Sequence, residues 1–186
     1  MNAQSATQLV IVLQAACVVA SIGGWARFGR TIWPPITLLL LGATGVVAAV
    51  SHDLDTDARE VTTLVAVLAC GTAVLGGGPL TTRVFAAVDA QSPSPGPGPD
   101  PIEAAGTVLR GGAWIGALER GAVFASLAVG MPEGVAIVLA LKGLGRYAEL
   151  QTRAGEGAAE RFIIGTFTSV LWAAACAGVL ALTLRA

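Results

Sequence analysis

The sequence predicts an all-α integral membrane protein, a polytopic bundle of about six transmembrane helices. Of its 186 residues, 54% are hydrophobic and 12% are charged, whereas soluble domains carry about 25% charged residues. The apolar residues come in blocks of the length that a bilayer requires, about 20 residues per helix. With 24 glycines and only 5% aromatic residues, the composition indicates helices that approach each other closely through small side chains.

Six apolar stretches form the predicted spans, at residues 8–26, 36–51, 61–79, 111–130, 132–149 and 162–184. Trp25 and Trp33 flank the first connection at positions typical of the membrane interface. Pro34 and Pro35 suit the start of the second helix. We expect the third helix to end at the GGGPL segment, residues 76–80, because three glycines and a proline interrupt helices.

The fifth stretch, residues 132–149, admits two interpretations. Lys142 interrupts it, and its roughly 18 residues give about 27 Å of helix, barely the thickness of the hydrocarbon core. It either spans the bilayer narrowly or lies partly in the interface as an amphipathic helix. The second alternative gives five spans and one interfacial helix.

A segment rich in proline and glycine divides the chain. Residues 91–101 read QSPSPGPGPDP, a pattern that favours an extended, solvated conformation over a helix. We therefore expect an N-terminal three-helix half at residues 1–90, a linker at residues 91–104 and a C-terminal three-helix half at residues 105–186.

The arginines in the connections predict the orientation of the chain. One side of the predicted topology collects seven of them, Arg27, Arg30, Arg83, Arg110, Arg146, Arg153 and Arg161. The other side has Arg59 and Arg185. The positive-inside rule places the first group in the cytoplasm, so we expect a multi-pass protein of the cell membrane with both termini outside the cytoplasm.

The C-terminal half carries charges within apolar sequence. The candidates for ligand binding or ion pairing are Glu119, Arg120, Lys142, Arg146, Glu149, Glu160 and Ser169. Helical spacing puts the three charged residues of the fifth helix on one face, and the topology brings Lys142 to a depth similar to that of Glu119. A charge at the centre of a transmembrane helix costs roughly 2.5–3.5 kcal/mol, so each one should find a partner or water.

Two interpretations of these charges stay open. Ion pairs such as Glu119–Lys142 or Arg120–Glu149 would hold the helices together. Alternatively the charges form a site for a small anion or a lipid head group, or a proton path, because intramembrane ionisable residues are functional candidates by default. Cations outnumber the one deep carboxylate, which favours a negatively charged ligand.

Three glycines, Gly112, Gly116 and Gly165, are candidates for helix packing. Gly112 and Gly116 form a small-x-x-x-small pattern on the same face as Arg120. Gly165 shares a face of the sixth helix with Ser169. These faces predict close helix contact within the bundle, across a homo-oligomer or with another membrane protein.

The acidic segment between the second and third spans predicts no firm metal site. The alternating Asp53, Asp55 and Asp57 could gather oxygen ligands for a divalent cation. An EF-hand loop would also need glycine and glutamate where this chain has Ala58 and Leu64. A solvated acidic loop is therefore the favoured interpretation, with the three aspartates as the only metal candidates.

Composition and motifs also argue against several function classes. The net charge of −1 provides no basic surface for nucleic acid, so the expected partner is the lipid bilayer. A P-loop, a serine nucleophile elbow and a dinucleotide fingerprint are absent from the sequence. We predict no cofactor and no catalytic residue, and an enzyme is disfavoured.

Three segments of the C-terminal half resemble a family of uncharacterised bacterial membrane proteins. They read GAWIGALER, LKGLGRYAE and AERFIIGTFTS; the family has G-x-x-I-G-x-L-E-R, A-K-S-x-x-R-F-x-E and A-E-Y-x-I-G-T-x-x-S helices. The resemblance covers about residues 111–170. It maps onto motif positions Gly112, Ile115, Gly116, Glu119, Arg120, Lys142, Arg146, Glu149, Glu160, Gly165, Thr166 and Ser169. Gly143 replaces a family serine and Arg161 a family tyrosine, and the family brings no assigned activity.

These features predict a small transport or channel component with a charged site in the cytoplasmic half of the C-terminal bundle. One alternative is a structural or assembly subunit of a membrane complex, in which the charges hold helices or a partner. A further alternative is an intramembrane enzyme that acts on a lipid-linked substrate.

Overall fold

The described part of the chain folds into six α-helices. The computed structural model describes residues 2–26, 29–51, 54, 56, 58–90, 112–152 and 158–185, and of residues 146, 148–152 and 158 only the backbone. The helices are α1 (Ala3–Gly23), α2 (Trp33–Val50), α3 (Arg59–Asp89), α4 (Gly112–Ala128), α5 (Glu133–Thr152) and α6 (Ala158–Leu184). The described residues contain no strand, which confirms the predicted all-α class.

Four of the helices, α1, α2, α3 and α6, are long and apolar enough to cross a membrane. α4 has 17 residues, a length of about 25 Å. α5 is longer, but its apolar sequence is interrupted by Glu133 and Lys142 and by charged residues near its end. α4 and α5 therefore do not have the length and apolarity of a membrane span. α5 corresponds to the stretch for which the sequence admits either a narrow span or an interfacial helix.

Local signals explain where several helices begin and end. Asn2 caps α1, because its Oδ1 accepts a hydrogen bond from the Ser5 N–H at 2.9 Å. Pro34 lies in the first turn of α2, where its missing N–H is harmless. α4 gives way to a tight turn at Gly130, whose φ of 76° is a left-handed conformation that glycine adopts easily.

α3 lies at the centre of the bundle and packs against α1, α2, α4 and α6. It is antiparallel to α6, because Asp89 pairs with Arg161 near one end while Trp172 reaches Thr72 further along. α5 packs mainly against α4. Helices from both predicted halves therefore belong to one bundle.

α1 runs parallel to α3. A Cβ on Gly71 would contact Val18, and one on Gly24 would lie 2.8 Å from Pro79. We call the end of the bundle where α1 and α3 end and α6 begins the Trp25 end. The opposite end holds the start of α1 and the end of α6, so both termini lie at the same end of the molecule.

α3 continues through the segment that the sequence predicts as its end. The helix reaches Asp89 with Pro79 inside it, so the prediction that the GGGPL segment ends the helix is wrong. Proline lacks the N–H that would bond the Leu75 carbonyl. The Trp25 indole Nε1 donates to the Leu75 oxygen instead, at 3.0 Å. A membrane helix tolerates proline where a neighbour satisfies the freed carbonyl in this way.

Polarity is inverted relative to a soluble protein. Large apolar side chains cover the outside, with Leu39 73% exposed, while Gln14 is fully buried. Small residues such as Cys17, Ala73 and Cys176 fill the contacts between α1, α3 and α6. An apolar exterior around an interior with polar groups is the arrangement that a bilayer favours.

Candidate functional site

Arg120 is buried where α4 meets α3. It is 5% exposed, and its Nε donates a hydrogen bond to the Val74 carbonyl at 3.0 Å. Gly77 leaves room for the side chain, since a Cβ there would overlap Arg120 Cδ. α3 therefore holds this guanidinium through its backbone, and the Nη amino groups have no protein hydrogen-bond partner among the described residues.

Gly116 lies beneath the Arg120 guanidinium, one turn earlier on α4. A Cβ on Gly116 would stand 3.2 Å from Nη1 of Arg120, and no other described helix lies within 4 Å of that position. Gly112 is exposed. Among the described residues no other helix approaches Gly116, and Gly116 instead gives the guanidinium its space.

Glu119 and Lys142 form an ion pair that links α4 to α5. The two side chains are 18% and 19% exposed, respectively. Farther along the two helices, Gly134 of α5 packs directly against Ser126 of α4, because a Cβ on Gly134 would overlap the Ser126 hydroxyl. The predicted Glu119–Lys142 partners are therefore together, and they tie the α4–α5 hairpin at two points.

A small cleft opens beside these charges, between α4, α5 and α6. Its lining consists of Glu119, Arg120, Val123, Val138, Leu139, Lys142, Ser169 and Val170. The enclosed space is about 10 Å³, roughly what one water molecule needs, so a larger group would have to extend out of the cleft. Ser169 is 6% exposed and makes no hydrogen bond within the described part of the chain, which leaves its hydroxyl available to a ligand.

Other predicted site residues lie elsewhere. Glu160 is exposed in the first turn of α6 and does not line the cleft. Arg146 and Glu149 belong to α5, but their side chains lie outside those that the structure describes. The described charges form two separate ion pairs, Glu119–Lys142 and Asp89–Arg161.

The second pair joins Asp89 at the end of α3 to Arg161 at the start of α6. The Arg161 guanidinium also lies 5.8 Å from the centre of the Phe85 ring. Gly165, a predicted packing residue, allows that ring to approach, since a Cβ on it would lie 3.0 Å from Phe85 Cζ. Both side chains of the pair are about two-fifths exposed, at 41% and 38%, so this pair contributes little to stability.

Three side chains converge on the backbone of α3 near the glycines at 76–78. Trp172 Nε1 donates to the Thr72 carbonyl at 3.2 Å, next to the carbonyls that Arg120 and Trp25 occupy. A Cβ on any of the three glycines would come within 3 Å of one of these side chains. This cluster is absent from the predicted site residues, although the three glycines before a proline are its signal in the sequence.

Polar groups are also buried away from the cleft. Both polar atoms of Gln14, the Ser21 hydroxyl and the Thr166 hydroxyl have no hydrogen-bond partner in the described part of the chain. Such groups are costly in an apolar medium. In the sequence, Gln14 stands out as a polar residue inside an apolar block.

The described residues hold no group of acidic, histidine or cysteine side chains that could bind a metal ion. Cys17, Cys70 and Cys176 are free thiols. The metal candidates Asp53, Asp55 and Asp57 lie outside the described residues.

Comparison with protein-family models, with curated proteins and with solved structures finds no match to the chain. The resemblance of residues 111–170 to a membrane-protein family therefore stays a prediction, and the functional assignment depends on the geometry of the cleft.

Proposed function

We propose that the protein is a small transport or channel component of the cell membrane that binds an anionic group in the Arg120 cleft. The observation that carries the proposal is the state of Arg120. It is a nearly buried cation whose Nη groups have no described protein partner, beside Lys142 and a Ser169 hydroxyl that makes no hydrogen bond among the described residues. Glu119 pairs with Lys142, and no described carboxylate forms an ion pair with Arg120.

The proposed orientation follows from the charge distribution. We propose a multi-pass protein whose Trp25 end faces the cytoplasm, since the arginine-rich connections belong to that end. Both termini would then lie outside the cytoplasm. The cleft, which is near the Trp25 end of α3, would open toward the cytoplasmic interface.

Anion flux through reconstituted protein tests the transport proposal. We expect vesicles that contain the purified chain to take up phosphate, sulfate or chloride saturably, with uptake at least tenfold lower for Arg120→Gln. Arg161→Gln is the matched control, because it removes an arginine of the Trp25 end outside the cleft. Uptake of all three anions equal to that of protein-free vesicles would refute the proposal.

A structural or assembly role is the second candidate, and a specific observation favours it. Arg120 docks α4 on the Val74 carbonyl, and the Glu119–Lys142 pair ties α5 to α4. Both contacts would serve helix assembly without any ligand.

Exchange of the paired charges separates the two candidates. Lys142→Met leaves a partly buried carboxylate unpaired and should lower stability by about 1–3 kcal/mol, as measured by thermal unfolding in detergent. The double variant Glu119→Lys, Lys142→Glu should restore stability, because the pair re-forms. If it restores stability but not anion uptake, the positions of the charges matter to the ligand and transport is favoured. Restored stability, in a protein whose wild type takes up no anion, favours the structural role.

A further inference from the structure

The depth of the cleft in the bundle bears on what it binds. Gly24, just beyond the end of α1, meets Pro79 of α3, and Arg120 meets Gly77 two residues earlier. Two residues of helix correspond to about 3 Å. Arg120 therefore lies almost level with the end of α1, where Trp25 begins the loop, and tryptophans at helix ends mark the head-group region of a bilayer.

Exposed aromatic residues on the neighbouring helices support the same depth. Trp114 precedes Arg120 on α4 and is 75% exposed; Tyr147 follows Lys142 on α5 and is 63% exposed. Since α4 and α5 are antiparallel, both aromatic residues lie on the Trp25 side of the cleft. The cleft thus lies just inside an aromatic belt, within reach of lipid head groups.

The lining of the cleft is polar toward the Trp25 end and apolar away from it. Val123 is about one turn beyond Arg120 on α4, in the direction in which Phe124 joins the hydrophobic core. Val138 and Lys142 repeat the order on α5, with the valine one turn farther from the Trp25 end. The polar part of the cleft would contact a phosphate, and the apolar part would contact the start of the acyl chain that follows it in a phospholipid.

The outer surface next to the cleft is apolar. Leu118 on α4 and Leu141 and Leu144 on α5 are 65–73% exposed. A free anion would have to reach Arg120 from water, whereas a lipid reaches it laterally from the bilayer. We infer that the occupant of the cleft is the phosphodiester of a membrane phospholipid, held by the Arg120 Nη groups and the Ser169 hydroxyl. This inference rests on the proposed anion site and names its ligand class.

Native mass spectrometry of the full chain in detergent tests the inference, with phosphatidylglycerol as the probe. We expect one lipid retained per chain and at least a tenfold lower bound fraction for Arg120→Gln, with Arg161→Gln unchanged. Equal retention by Arg120→Gln and the wild type would overturn the inference.

A second variant keeps the test decisive if Arg120→Gln does not fold, and it separates lipid from free phosphate. Leu139→Trp fills the apolar part of the cleft and should lower phosphatidylglycerol retention at least fivefold, while Leu144→Trp, on the same helix outside the cleft, should not. Inorganic phosphate should stabilise the wild type against thermal unfolding less than phosphatidylglycerol does at the same concentration. Stabilisation by phosphate with no lipid retention would overturn the lipid assignment and leave the anion site.

The outcomes also separate this inference from the transport proposal. Lipid retention that depends on Arg120, without anion flux in vesicles, would refute transport and leave the lipid site standing. Flux that depends on Arg120, without lipid retention, would do the reverse.

Discussion

Arg120 uses the two parts of one guanidinium for different contacts. Nε bonds the Val74 carbonyl, which fixes the side chain to α3, and the Nη groups, which have no partner among the described residues, are the donors that we propose for the ligand. Lysine has a single amino group without the planar, fork-shaped arrangement of donors. Its three donors diverge from one nitrogen, so it cannot offer two parallel donors to a phosphate while it bonds the carbonyl. Arginine is therefore better suited to hold a ligand while it docks two helices.

Gly116 provides the first prediction, because it limits where that guanidinium can lie. Gly116→Ala should shift the guanidinium by a few tenths of an ångström and lower phosphatidylglycerol retention severalfold. Stability should stay equal or rise by up to about 1 kcal/mol, since alanine favours helix over glycine. Lipid retention and the thermal unfolding midpoint are the two measurements.

The control for this variant is Gly121→Ala on the same helix, where a Cβ would make an ordinary contact of 3.6 Å with Val74. It should leave lipid retention unchanged. If Gly116→Ala instead changes the size of the particle measured by light scattering, Gly116 packs against a second copy and the interpretation through Arg120 is wrong.

At the scale of the element, α3 depends on side chains of its neighbours. Pro79 frees the Leu75 carbonyl, and the three preceding glycines weaken the helix further. Trp25, Arg120 and Trp172 donate to three of its carbonyls. The helix is therefore continuous because the bundle is assembled around it.

A double-mutant cycle on Trp25 and Pro79 tests this dependence. Trp25→Phe should destabilise the protein by about 1–2 kcal/mol, because it leaves the Leu75 carbonyl without a donor. In a Pro79→Ala background the same change should cost at least about 0.5 kcal/mol less, since the restored N–H bonds that carbonyl. Thermal or denaturant unfolding in detergent gives the four values, and strictly additive effects would contradict the proposed compensation.

The same dependence explains which features the sequence could predict. Hydrophobic blocks, prolines at helix starts and helical spacing are local features of the sequence. They therefore suffice to predict the six described helices and the pairing of Glu119 with Lys142. The continuation of α3 through Pro79 depends on an indole more than fifty residues away in sequence. No local pattern contains that donor.

The role of Gly116 and the partner of Arg161 were unpredictable for a similar reason. The same glycine pattern is found whether the space beside Gly116 is filled by another helix or by an arginine of the same helix. Asp89 meets Arg161 only because α3 extends past its predicted end. The wrong prediction for the end of α3 therefore hid this ion pair.

At the scale of the whole molecule, antiparallel packing places both termini at one end of the bundle. The proposed topology puts that end outside the cytoplasm. In a variant whose three native cysteines are replaced by alanine, Asn2→Cys and Arg185→Cys should react with a membrane-impermeant maleimide in intact cells. Arg30→Cys should react only after lysis, and the opposite pattern would invert the orientation and place the cleft near the outer leaflet.

A density map of the purified chain in nanodiscs that contain phosphatidylglycerol tests the proposed site most directly. A lipid site predicts a phosphate density between the Arg120 Nη groups and the Ser169 hydroxyl, continuous with an acyl chain along Val138 and Leu139. A cleft without lipid density, in which Arg120 bonds only the α3 backbone and Lys142 stays closed on Glu119, would contradict a ligand site and favour the structural role of these charges.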